Sequence, residues 1–358
     1  MLAVGPLPPP IHGAAATTQL FVAYASQHVP LRVANIARGV SPGLRGHAVK
    51  AGRVLKAIFD VAAGWRESPR RVLYMALDGQ RGLAYNICLA MAGRCFSYAV
   101  IVHHHSFAYI DQRSRLMEIL AWVMGPKGTH IVACDCMTDG LRRRYARFAN
   151  APMVELTSAA FVDVFPGDTF RVDDTLRIGF LSNMIIEKGL DTSIELLRAA
   201  TREQLPVKLL LAGRSIDPVA TALIEAAGRE FGTAIEYLGP LSQVEKDQFY
   251  QDVDVISFPT RYVNESQPRA ILEALSYGLP VLTTARGCIG TDVGPGCGLC
   301  VSPPDADFVS AVLPLVRAWC ADRESLRRSS AEARDRAMTL YANGQTQLSD
   351  VVDAIYAR

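Results

Sequence analysis

The 358-residue sequence has no run of eighteen apolar residues free of charge, so no helix able to cross a bilayer is expected. It also lacks a basic segment followed by an apolar stretch at its start. Met1-Leu2-Ala3-Val4 leads straight into Gly5-Pro6, and no export signal is expected. No G-x-G-x-x-G follows a strand-like run, which disfavours an NAD-dependent dehydrogenase. Zinc-finger, RNP and helix-turn-helix signatures are missing too, so nucleic acid is not an expected partner. The eight cysteines are scattered through core-like sequence, and without an export signal reduced thiols are the default. Cys297 and Cys300 have C-x-x-C spacing, yet there is no second pair for zinc and no thioredoxin-like context. His103, His104 and His105 end a strand-like run; neighbours on a strand alternate in face, so they cannot converge on one metal.

What is present describes a large folded protein. Half the residues are hydrophobic and a fifth charged, and the length suits two domains. Net charge is +2, but it is unevenly spread. Residues 1–150 hold 18 Lys and Arg against 7 Asp and Glu, a net +11; the remaining 208 residues hold 19 against 28, a net −9. The basic half is expected to face something anionic, a membrane surface or phosphate groups. The alternative is that Arg142, Arg143, Arg144 and Arg147 form one solvated helix face.

Strand-like and helix-like runs alternate twice along the chain. LAVGPLPPP reads as a strand end and turn, after which Gly13 opens a helix whose first amides can meet phosphate. Strands follow at 71–78, 95–107 and 129–135, with a helix at about 111–124 and an arginine-rich helix after 135. Residues 151–175 read as the interdomain linker. The pattern restarts with strands at 176–183, 207–213, 235–241 and in VDVISFP, a short helix at 244–251, and a last helix from about 344 to 357 after Asn343-Gly344. Two doubly wound parallel sheets are the expected α/β fold.

The most informative stretch is residues 258–294. Pro268 suits a first helical position and Ser266 a cap, so a helix of roughly three turns is expected from Gln267 or Pro268 to Gly278. Glu265 lies before that helix and Glu273 inside it, ~8–9 Å further along its axis. Two acids bracketing a helix N-terminus suit a ligand with hydroxyls at both ends and phosphate between. Lys188, after the strand at 176–183, is a counter-charge for a diphosphate. Asp252-Val-Asp254 has the D-x-D spacing of a metal motif but opens an apolar strand, and it reads as structural.

ESQPRAILE, followed by A-x-x-x-G-x-P-V, resembles the E-x7-E region of the retaining glycosyltransferases of family 4 (group 1). GPLPPPIHGAA likewise resembles the glycine-bearing loop of the bacterial surface-polysaccharide members. The resemblance implies a GT-B architecture of two Rossmann-like domains facing across a cleft: 1–170 on the acceptor side, 171–343 for the nucleotide sugar, and a helix at 344–358 crossing back. It implies metal-independent transfer with retention from a nucleotide-diphosphate sugar to a glycan or polyprenyl-diphosphate-linked acceptor. Such an enzyme would be cytoplasmic, with peripheral contact to an anionic membrane. The implied roles are Glu273 on the ribose, Lys188 on the phosphates, Glu265 with the amides of Ser266 and Gln267 on the sugar, and His105, with His104 as competitor, on the sugar hydroxyls. Gly13 and Leu241 are further expected donor contacts. Asn183 stands where the family usually has arginine; Arg214 is the expected substitute. A nucleotide-sugar 2-epimerase of the same fold and a non-catalytic transferase-like subunit are the alternatives.

Overall fold

The computed structural model describes residues 1–9, 13–39, 43–65, 71–167, 173–302 and 307–356. The chain divides into two compact units, one of residues 1–161 with 343–358 and one of residues 162–342. Each is built on a six-stranded parallel sheet.

In the first unit the strands are β1 (Leu2–Gly5), β2 (Arg32–Asn35), β3 (Val72–Ala76), β4 (Ala99–His103), β5 (Thr129–Val132) and β6 (Met153–Glu155). They are joined through helices α1 (Gly13–Ser26), α2 (Gly43–Gly64), α3 (Leu83–Cys95), α4 (Ala108–Asp111), α5 (Arg115–Met124) and α6 (Asp135–Arg144). Strand order is β2-β1-β3-β4-β5-β6, so the chain reverses its direction of travel across the sheet between β1 and β3. All five residues of β3 are buried, the mark of a central parallel strand covered on both faces. Glycine is needed at Gly5, the last residue of β1, because a Cβ there would stand 2.9 Å from Ala76 Cβ and from Thr18 Cγ2.

The second unit holds β7 (Leu176–Leu181), β8 (Val207–Ala212), β9 (Ile235–Tyr237), β10 (Val255–Phe258), β11 (Val281–Thr284) and β12 (Gly298–Val301). Its helices are α7 (Leu190–Arg202), α8 (Pro218–Phe231), α9 (Gln243–Asp252), α10 (Arg269–Ser276), α11 (Ile289–Asp292), α12 (Phe308–Ala321) and α13 (Arg323–Tyr356). Strand order β12-β11-β10-β7-β8-β9 puts the switch point between β7 and β10. Its core packs Ile178, Phe180, Leu209, Leu211 and Val255 against α7 and α12 through Leu197, Val312 and Trp319.

Four sequence expectations are corrected. The stretch expected as linker begins with β6 and a 3-10 turn (Ser158–Phe161), both part of the first unit; residues 168–172 lie outside the described residues. No separate helix starts at residue 344, because α13 runs unbroken through Asn343-Gly344. Gly344 serves close approach instead, since a Cβ there would meet the Ala160 backbone at 2.7 Å. Its final turns lay Leu348, Val351 and Ile355 into the first unit's core beside Ala3, Phe21 and Tyr74. Cys134 and Cys136 are joined as a disulfide rather than held as thiols, whereas Cys297 and Cys300 are free. Finally, α10 is eight residues long, starts at Arg269 and has Pro268 at its N-cap with no side-chain cap. Ser266 therefore does not cap it. The ring of Pro268 fixes its φ (−72°), but its ψ of 119° is extended, so helical backbone begins only at Arg269.

Candidate active site

In open α/β sheets, ligands bind beyond the carboxyl ends of the strands where the strand order reverses. In the second unit that place lies between the turns leaving β7 and β10, and both carry residues singled out by sequence. The turn after β7 is a 3-10 segment, Ile186–Lys188, closed by Gly189 at φ 89°. A Cβ at Gly189 would collide with the Pro259 carbonyl oxygen, so only glycine lets the two turns pack. Arg261 N donates to the Glu187 carbonyl at 2.7 Å and ties them together.

This contact brings Lys188 and Glu265 together. Lys188 Nζ donates to Glu265 Oε2, and the two side chains are 16% and 9% exposed. The ammonium also lies 4.7 Å from the Tyr262 ring centroid and 5.6 Å from that of Phe258. Thr260 Oγ1 donates to the same carboxylate oxygen at 3.3 Å. Sequence reasoning put Lys188 on the phosphates and Glu265 on the sugar; the fold makes them one ion pair.

The segment after Glu265 is clamped from behind. Gly287 has φ 59°, and a Cβ on it would collide with the Ser266 carbonyl oxygen, while Cys288 N donates to that oxygen at 2.7 Å. Gln267 is buried and donates through Nε2 to Asp292 Oδ1 at 2.9 Å. Burial pushes the Asp292 carboxyl up to about 7, partly opposed by the Gln267 bond and the charge of Arg336. Asp292 was missed from sequence, where nothing separates it from any loop acid. The uncapped start of α10 leaves its first amides for a ligand.

Glu273 sits on α10 in a network that sequence did not foresee. Its Oε1 accepts from Lys246 at 3.0 Å and Arg269 at 3.1 Å, and its Oε2 from the buried Tyr250 hydroxyl at 3.0 Å. With about two lone pairs per oxygen, one acceptor position remains on Oε2.

On the other side of β7 the loops are zipped together. Met184 N donates to the Arg214 carbonyl at 2.9 Å, and a Met184–Ser215 bridge extends the pairing. Gly213, at φ 133°, leaves no room for a Cβ against the Ser182 carbonyl. Asn183 and Arg214 therefore occupy adjoining loops, both exposed. Leu241 is half-buried in the next loop, which Gly213 N joins by donating to the Gly239 carbonyl at 2.8 Å. Asp254, of the D-x-D triplet, is buried; it accepts from Arg177 N at 2.7 Å and pairs with Arg323 at 3.5 Å.

In the first unit the histidine triplet divides. His103 Nδ1 meets the Tyr74 hydroxyl at 2.8 Å; His104 bridges the Tyr109 hydroxyl and His130 Nδ1, each at 3.0 Å. Both rings are fully buried, and burial holds them well below the ordinary histidine range, hence neutral. His105 alone of the three is half-buried. Gly13 is the first residue of α1; residues 10–12 of the loop before it lie outside the described residues.

Comparison with known proteins agrees with this architecture. A family model described as group 1 glycosyl transferases matches residues 175–318, the part of the chain that holds the Lys188–Glu265 pair. This match, over less than half of the chain, supports a glycosyltransferase. Among solved structures the chain is similar to Anabaena HepE in complex with UDP and glucose (TM-score 0.71, 14% identity, 99% of each chain covered). It is also similar to sucrose-phosphate synthase from Thermosynechococcus elongatus (TM-score 0.74, 15% identity, 99% of each). A third is the lipopolysaccharide outer core galactosyltransferase WaaB (TM-score 0.63, 13% identity, 94% of this chain and 98% of that one). At such identities the likeness concerns the fold, GT-B. No curated protein matches the sequence.

Proposed function

We propose that the chain transfers a glycosyl group from a nucleotide-diphosphate sugar to a glycan or lipid-linked acceptor in surface-polysaccharide synthesis, with retention at the anomeric carbon. The observation that carries this reading is the Lys188–Glu265 pair at the switch point of a group 1 transferase domain. As the sugar–phosphate bond breaks, negative charge grows on the departing diphosphate. Lys188, the exposed Arg214 and the free amides of α10 are the groups available to meet it, so leaving-group stabilisation needs no metal. Glu265 holds the ammonium in place and accepts hydrogen bonds from sugar hydroxyls. A ribose hydroxyl takes the remaining acceptor position of Glu273 or displaces Lys246 from it.

Uridine is the base to test first, since HepE was solved with UDP and glucose. A thermal-shift titration with uridine, guanosine and thymidine diphosphate sugars should raise the melting temperature with one class, by ~2.7 kcal/mol of stabilisation at a hundredfold excess over Kd. The shift should vanish in Lys188→Ala and shrink in Glu273→Ala. No shift with any of the three would sink the donor assignment. Proton NMR of the product's anomeric centre checks retention.

We further propose peripheral contact with an anionic membrane through α2. Its outward face exposes Leu55 (67%) and Phe59 (69%) together with Arg45, His47, Val49 and Lys56. The described part of the helix holds one acid, Asp60, which Lys56 neutralises at 2.7 Å. Apolar side chains flanked by cations suit the interface of a cytoplasmic leaflet.

A further inference from the structure

The arginine run at the end of α6 does not form a single solvated face. Consecutive helix residues are turned by about 100°, and the three part company. Arg143 and Arg144 line an open cavity of about 730 Å³ in the first unit, together with Arg113, Phe107, Ile110 and Gly140. Arg144 forms its wall, with Nε on the Ile110 carbonyl at 3.0 Å and an Nη on the Asp111 carbonyl at 2.7 Å. Those bonds lock α6 to α4. Gly140 allows the approach, because a Cβ there would collide with Ile110 Cγ2. Arg113 closes the far side from the loop between α4 and α5, where Glu118 holds it. Arg143 is exposed and makes no hydrogen bond or ion pair among the described residues.

Three guanidinium groups and the Asp111 side chain line this cavity, and with Glu118 paired to Arg113 the positive charges still outnumber the carboxylates. Its floor is apolar, with Phe107 7% and Ile110 6% exposed. Cations over an apolar floor suit a phosphate joined to a hydrocarbon, and the planar guanidinium fork matches phosphate oxygens in pairs. Phe107 to Arg113 also follow directly on His105, beyond the carboxyl end of β4.

We infer that this cavity binds the phosphate or diphosphate of the acceptor, with an apolar carrier against Phe107 and Ile110. The word acceptor rests on the transferase reading, whereas anion binding by the cavity does not, and the two can fail separately. The probes are inorganic pyrophosphate and farnesyl diphosphate, titrated calorimetrically with uridine diphosphate at saturation and repeated in Lys188→Ala to remove the donor-side cation. Saturable binding is expected, weakened ~10-fold in Arg143→Ala and less in Arg143→Lys, as loss of a charge-assisted hydrogen bond predicts. Arg113→Ala should weaken it too, and binding should fall between 50 and 300 mM salt. Tighter binding of farnesyl diphosphate would identify a lipid carrier as the source; equal binding would support a phosphate on a more polar acceptor. No saturable binding, or affinity unchanged in both arginine variants at unchanged melting temperature, overturns the inference. If uridine diphosphate does not bind but pyrophosphate does, and needs Arg143, the cavity stands and the transferase reading falls.

Discussion

Lys188 and Glu265 each lose more than a contact when the other is removed. Truncating one partner of a nearly buried pair leaves the other charge uncompensated, at a cost of ~3–5 kcal/mol. Urea unfolding should therefore show Lys188→Ala and Glu265→Ala each strongly destabilised, and the double variant destabilised by clearly less than the sum. In turnover assays Glu265→Ala should lose at least ~100-fold, and near-normal rates would refute its assignment. Asp292 yields a pH prediction. Its folded value, about 7, lies above the ordinary 3.8, so the folded protein holds a proton that the unfolded chain has released between those limits. Stability contributed by this group is thus full at low pH and lost as pH rises towards 7, by on the order of 2–4 kcal/mol. Melting temperatures from pH 4 to 8 should fall in the wild type and flatten in Asp292→Asn. Both glutamates and Lys188 were legible from local punctuation. Their partners were not, since Lys188 reaches Glu265 and Lys246 reaches Glu273 only through turns and helices 77 and 27 residues apart in the chain.

Elements were legible in proportion to their burial. The central strands β3, β4, β7, β8 and β10 are mostly apolar, with Arg177 in β7 and Lys208 in β8, and were recognisable within a residue or four at either end. The unrecognised strands β2, β6 and β12 are all edge strands of three or four residues. An edge strand pairs on one side only and β2 is largely exposed, so neither length nor pattern marks it. Glycines read as stops proved more specific. Gly287→Ala should destabilise by ~1–3 kcal/mol through its left-handed backbone and weaken donor binding by displacing Ser266, readable in one thermal-shift titration. For α2, replacing Leu55 and Phe59 together by Asp should abolish co-sedimentation with phosphatidylglycerol vesicles while leaving the melting temperature unchanged. Unaltered co-sedimentation would remove α2 from the membrane proposal.

Across the whole molecule, the switch-point rule turns strand order into a short list of positions. In the second unit those positions hold the residues that sequence had chosen by motif. The first unit was harder to read. Its basic excess was visible in composition, but the division of that charge between α2, the cavity beside α6 and ion pairs such as Lys50–Asp78 (2.6 Å) depends on tertiary packing. The 34 residues of α13 bear on how the chain comes apart. Its final turns belong to the first unit's core although they come last in the sequence. Asn343→Pro, which breaks the backbone ladder where those turns begin, should loosen the packing of Leu348, Val351 and Ile355 and lower the melting temperature.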